Sequence, residues 1–155
     1  RLWYMYNVGL FLTNKGNIFV NGENNEGALG INSTVDRHQW VRNPYVGVGA
    51  TWNSLQSRFI GVAMPNIAGY QGMGGSQKWY LIDGNNRLFV FGAGGSGALG
   101  SGSTSNVTKP QLISAPGSVL SISAGYRSCH LIDTNGAVWS TGANDNGEQG
   151  GSAKT

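Results

Sequence analysis

Between Ser128 and Thr141 the hydrophobic and polar positions describe two short strands around a tight turn. Ser128-Cys129-His130-Leu131-Ile132-Asp133 reads as the first strand, Thr134-Asn135-Gly136 as the turn, and Ala137-Val138-Trp139-Ser140-Thr141 as the returning strand. Asn-Gly between two such runs signals a hairpin, because both residues tolerate the positive φ of a type I′ turn. The pattern is written twice before. Leu10 to Gly30, Tyr80 to Gly100 and His130 to Gly150 align without internal gaps, with Ile18-Phe19, Leu88-Phe89 and Val138-Trp139 as matching aliphatic and aromatic pairs. The turns become Asn14-Lys15-Gly16-Asn17 and Gly84-Asn85-Asn86-Arg87 in the first two copies. Asp83 and Asp133 stand where a carboxylate caps the turn through nearby backbone.

After the second strand, glycines recur in register: Gly22, Gly92 and Gly142, then Gly27, Gly97 and Gly147, then Gly30, Gly100 and Gly150. They predict tight turns or close backbone approach, since nothing else is gained by removing a side chain there. Gly142 follows Gly92 by 50 positions and Gly92 follows Gly22 by 70, so the unit is about 50 residues with an insertion in the first interval. Repeat copies are assigned to 1–35, 75–105 and 125–155, and the insertion to 36–74. Val119 to Gly125 adds a β-rich run ahead of the third hairpin, which gives about four short strands per unit and no helix. A single four-stranded sheet of this kind cannot bury both faces, so copies must stack, and radial stacking also protects the sheet edges. The expected fold is all-β, a β-propeller of four-stranded antiparallel blades.

At Gly22-Glu23-Asn24-Asn25-Glu26-Gly27-Ala28-Leu29-Gly30 and its two partners the sequence resembles the regulator of chromosome condensation repeat, whose signature runs roughly Gly-x-Asn-x-x-Gly-Gln-Leu-Gly. His130-Leu131 and Lys109-Pro110 fit the same pattern, and the resemblance covers nearly the whole chain. Kelch repeats share the length but place a Gly-Gly doublet elsewhere. Gly94 replaces the signature Asn in the second copy, and Glu148-Gln149 replaces Gln-Leu in the third. The resemblance implies a seven-bladed ring with sequence repeats offset from blades, about 350 residues in all. Three copies beginning at Arg1 are therefore expected to be a segment of a longer protein, a partial propeller over 1–155, with a ring completed by several chains as the alternative.

The 36–74 stretch carries Trp40, Tyr45, Trp52, Phe59 and Tyr70 together with Arg37, Arg42 and Arg58. Insertions in repeat proteins map to loops on one face, and Trp, Tyr and Arg dominate binding hot spots. Trp40, Tyr45, Trp52, Arg58 and Tyr70 are the candidate binding residues for a protein or glycan. The competing reading is that these rings pack against their own blade or a neighbouring subunit.

Charged residues make up only 11% of the chain, while Asn occurs 16 times and Gly 26 times. Intracellular members of the family are more charged, so the composition favours an extracellular or virion setting. The net charge of +3 is spread over scattered Lys and Arg, not gathered in the basic stripe that a nucleic-acid binder needs. No stretch has the length and apolarity of a transmembrane helix.

Chemistry is sparse. His38 and His130 are the two histidines, and with the single Cys129 they do not make a zinc site. Cys129 in a strand reads as a buried thiol. Asn144-Asp145-Asn146-Gly147 lacks the closing Glu of a calcium loop, and Gly92 to Gly97 lacks the Lys-Ser/Thr ending of a phosphate loop. No catalytic residue, metal or cofactor is expected. Gly125-Tyr126-Arg127 has Tyr where the family's ultraviolet-B photoreceptors use Trp. The sequence thus predicts a non-catalytic binding or assembly propeller, part of an exterior appendage such as a phage tail fibre or adhesin that meets a receptor, glycan or neighbouring subunit. The alternative is a guanine-nucleotide exchange factor or regulatory scaffold for a small GTPase.

Overall fold

The computed structural model describes residues 2–5, 7–13, 17–47, 67–70, 77–83 and 85–150. Three antiparallel sheets follow one another along the chain. The first holds β1 (Leu2–Met5), β2 (Val8–Leu12), β3 (Ile18–Gly22) and β4 (Arg37–Arg42) in that order. The second holds β5 (Ile67–Tyr70), β6 (Lys78–Ile82), β7 (Leu88–Gly92) and β8 (Val107–Ile113). The third has three strands among the described residues, β9 (Val119–Ala124), β10 (Ser128–Asp133) and β11 (Val138–Gly142). Helix among the described residues is confined to a 3-10 turn at Gly95–Gly97. This is a partial β-propeller.

The hairpins of the three copies pair in the same register. Val8 pairs with Gly22, Lys78 with Gly92, and Ser128 with Gly142. Those glycines have φ of 108°, 104° and 105°. An added side-chain carbon would fall on the carbonyl of Asn7, Gln77 or Arg127. The same carbonyls accept the N–H of the following residue, Glu23 (2.9 Å), Ala93 (2.7 Å) and Ala143 (2.8 Å). Glycine is required there by both conformation and space.

Asp133 Oδ1 accepts the N–H groups of Asn135 (2.8 Å) and Ala137 (2.9 Å), and Asp83 Oδ1 those of Asn85 (3.0 Å) and Arg87 (2.9 Å). The caps are as the sequence predicts, but the turns are not type I′. Thr134 and Asn135 are not in the positive-φ region. Gly136 is, at 85°, as is its counterpart Asn86, at 60°. Gly136 N–H closes on the Asp133 carbonyl (3.0 Å) and Asp133 N–H on that of Ala137 (3.0 Å), giving a longer loop that ends in one left-handed residue. A carboxylate gripping two backbone N–H groups favours this form.

The stretch from 36 to 74 is bounded by blade strands, β4 at one end and β5 at the other. β8 and β9 likewise extend the second and third blades beyond the copy bounds.

The core lies between sheets. Trp79, Leu81, Phe89 and Phe91 point toward the first sheet and pack with Leu10, Leu12, Ile18, Val20 and Leu29. The alternate residues Tyr80, Ile82, Leu88 and Val90 point the other way and pack with Val119, Ile122, Cys129 and Leu131. Every position of β6 and β7 is buried as a result. At about 1.5–3 kcal/mol for each large apolar side chain fully buried, these two junctions dominate the stability of the stack.

Candidate functional site

The glycine signatures form loops that bind one blade to the next. Asn24 is fully buried and satisfied on all sides. Its Oδ1 accepts the Leu29 N–H (2.8 Å), its Nδ2 donates to the carbonyls of Ser33 (2.8 Å) and Val35 (3.2 Å), and its N–H donates to Asp36 Oδ1 (2.8 Å). In the third copy Asn144 Oδ1 accepts the Gln149 N–H (3.0 Å). In the second, Gly94 N–H donates to Asn106 Oδ1 (3.1 Å), so Asn106 does there what Asp36 does in the first. The first two signatures are each followed by a six-residue stretch before the fourth strand, 31–36 and 101–106, and most of these positions are exposed. These two loops project from the same end of adjacent blades. The sequence reading passed over them, although their equal length in the two copies was available as a signal.

A polar seam runs along that junction. Glu23 Oε2 accepts from Asn7 Nδ2 of its own blade (3.1 Å) and from Gln77 Nε2 of the next (2.9 Å), while Glu26 Oε2 accepts the Gln77 N–H (2.9 Å). One blade on, Ser96 Oγ accepts from Arg127 Nε (3.0 Å), and Arg127 pairs with Asp145 (2.6 Å). Lys78 is buried and donates through Nζ to the Tyr126 carbonyl, linking the second blade to the third. Burial pushes its ammonium down to about 8, against the attraction of Glu26. Burial also raises the Glu26 carboxyl above its ordinary range, with the Gln77 N–H and Lys78 pulling the other way.

Of the candidate binding residues, Trp40 and Tyr45 have described side chains, and they lie on opposite faces of the first sheet. Trp40, on β4, is 41% exposed and packs edge-on against Tyr4 (6.2 Å between ring centroids) and Phe11 (6.4 Å) on the face turned away from the second sheet. Tyr45 is half-buried against the opposite face, in the first junction. Tyr70 ends β5, its backbone paired with Lys78. Trp52 and Arg58 lie outside the described residues. Cys129 is buried, and burial pushes its thiol up to about 12. Among the described residues no three His, Cys, Asp or Glu side chains gather closely enough to hold a metal ion, and no helix is long and apolar enough to cross a membrane.

Residues 85–132 match the sequence model of the Regulator of chromosome condensation (RCC1) repeat. Residues 85–132 carry a repeat of the regulator of chromosome condensation family. The chain is 37% identical over 78 residues to the X-linked retinitis pigmentosa GTPase regulator of Canis lupus familiaris, and 37% identical over 79 residues to that of Homo sapiens. Each alignment takes in 49% of this chain and 8% of the relative. Among solved structures, human WBSCR16 superposes with a TM-score of 0.71 at 18% identity, over 92% of this chain and 32% of that one. Prp20p of Saccharomyces cerevisiae, studied for its binding to Gsp1p and histones, gives 0.68 at 15%, over 97% and 34%. Yeast RCC1 bound to Kap60 gives 0.66 at 21%, over 94% and 30%. The structural likenesses carry the fold, and the RCC1 relatives are protein-binding propellers.

None of these relatives supports the tail-fibre or adhesin reading, nor a glycan as partner. The Asn-rich composition that suggested an exterior setting has a structural use: Asn24 and Asn43 are both fully buried and spend their amides on loop carbonyls.

Proposed function

We propose that this chain is part of a propeller that regulates a small GTPase by binding it, as an exchange factor or a regulatory scaffold. The observation that carries this reading is the 37% identity, across 49% of the chain, to a protein named as a GTPase regulator. The yeast neighbour studied with Gsp1p and histones agrees with a protein partner. The build of the junctions suits the task. Blades locked by buried aromatics and a polar seam hold their loops in fixed relative positions, so little ordering entropy is lost on binding. The loops at 31–36 and 101–106 are the surface offered for contact.

The test is a panel of small GTPases loaded with a fluorescent guanine nucleotide. Faster nucleotide release in the presence of the protein assigns exchange activity, and binding without faster release assigns a scaffold. If no GTPase in the panel binds, the proposal fails.

A further inference from the structure

Between the second and third sheets lies a cavity of about 160 Å³. Its origin is legible by comparing the two junctions position by position. Trp79, Phe91 and Tyr45 help fill the first junction. In the second, Cys129, Thr141 and Ala115 stand at the equivalent positions and line the cavity. Each replacement removes an aromatic ring. Among the positions that grow are Leu10 to Tyr80 and Phe89 to Trp139, and neither of these restores what is lost. The Tyr80 hydroxyl is held by the Ala98 carbonyl (2.6 Å), and the Trp139 indole is drawn to Asp133 Oδ2 (3.0 Å) and remains 40% exposed.

The walls are apolar, chiefly Leu88, Leu99, Ile113 and Leu131. Two of the polar groups that reach them are engaged: the Tyr80 hydroxyl as above, and Thr141 Oγ1 with the Gly97 carbonyl (2.9 Å). A water inside would want two to four polar partners, and an apolar space of about 150 Å³ stays dry and takes up benzene or xenon. Ser114, in the loop after β8, is exposed and part of the lining, so the space reaches the surface beside it.

We propose that this inter-blade cavity is a binding site for an uncharged, single-ring aromatic molecule, which takes the place of the rings missing from the second junction and lies against the Cys129 thiol and the Trp139 indole. It is independent of the GTPase reading. Cys129 is the single cysteine of the chain, so its reactivity reports on this site alone.

The experiment titrates the folded protein with benzene and with toluene, following the Trp139 indole N–H by NMR and the rate at which a thiol reagent labels Cys129. The expected result is a saturable shift of Trp139 and labelling slowed by about tenfold at ten times the Kd. Cys129→Trp, which supplies the side chain used at Trp79, is expected to abolish the Trp139 response. Should that variant fail to fold, Ala115→Tyr fills the space from the loop side and is read the same way. Absence of a saturable response in the unsubstituted protein up to the solubility limit of both ligands overturns the proposal, as does an undiminished response in the filled variants.

Discussion

Gly94 lies directly against the main-chain carbonyl of Ser105, in the space beside the second signature loop that a side-chain carbon would need. In the first blade the same position is Asn24, whose amide ties the loop together. The second blade has exchanged a side chain for a closer approach of its 101–106 segment, held by Asn106. Restoring the family residue should therefore harm the protein. Gly94→Asn is expected to destabilise by about 1–3 kcal/mol through overpacking. Asn24→Ala is expected to cost a similar amount, about 1–3 kcal/mol, because the Leu29 N–H is left buried without its acceptor. Denaturant midpoints of the two variants check both.

Lys78 predicts an alkaline gain in stability. Its ammonium is pushed down to about 8 in the folded state from an ordinary 10.5, so between those values the unfolded chain binds more protons than the folded one. Stability then rises with pH across that window, and the cost of the buried charge is fully present below it. Cys129 acts oppositely, but from about 9 upward, because its thiol is raised to about 12 from 9.0. Measured from pH 7 to 9, the stability of the unsubstituted protein should climb relative to Lys78→Met. A constant difference between the two would show that Lys78 does not titrate in this range.

Asp133 makes the complementary acid prediction. The N–H of Trp139 and the turn N–H groups of Ala137 and Asn135 hold its carboxyl below the usual 3.8. Its contribution is present above that value and is lost as pH falls through the lower folded one. Asp133→Asn is expected to be less stable at neutral pH and to lose less on acidification. Urea unfolding at pH 7 and pH 3 tests the sign, with Trp139 emission as a local reporter.

The blades were legible in the sequence wherever backbone conformation dictated residue type. Gly22, Gly92 and Gly142 are forced by a positive φ and a facing carbonyl, so they stand out without any structure. The strands at the ends of 36–74 were not legible. β4, Arg-His-Gln-Trp-Val-Arg, is largely exposed and shows no clean alternation for a reader to find. Charge misled as well: a lysine reads as surface, yet Lys78 is buried because the Tyr126 carbonyl of the next blade receives it. Nor does a count of asparagines show which of them are buried, as Asn24 and Asn43 are.

Trp40 and Tyr45 looked alike as binding candidates, and the structure separates them to opposite faces of one sheet. The face bearing Trp40 also carries Gly9, Phe11, Phe19 and Asn21, whose counterparts in the second blade, Trp79, Leu81, Phe89 and Phe91, pack on the preceding blade. Gly9 lacks a side chain where that of Trp79 stands, and the Trp40 ring takes up the space above it. The Trp40 ring is thus engaged in packing within its own sheet. Trp40→Ala is expected to cost about 1–2 kcal/mol from the two lost edge-on ring contacts and to leave affinity for a GTPase partner unchanged. Thermal unfolding and a binding titration on the same variant decide it, since a loss of affinity with stability intact would return Trp40 to the binding surface.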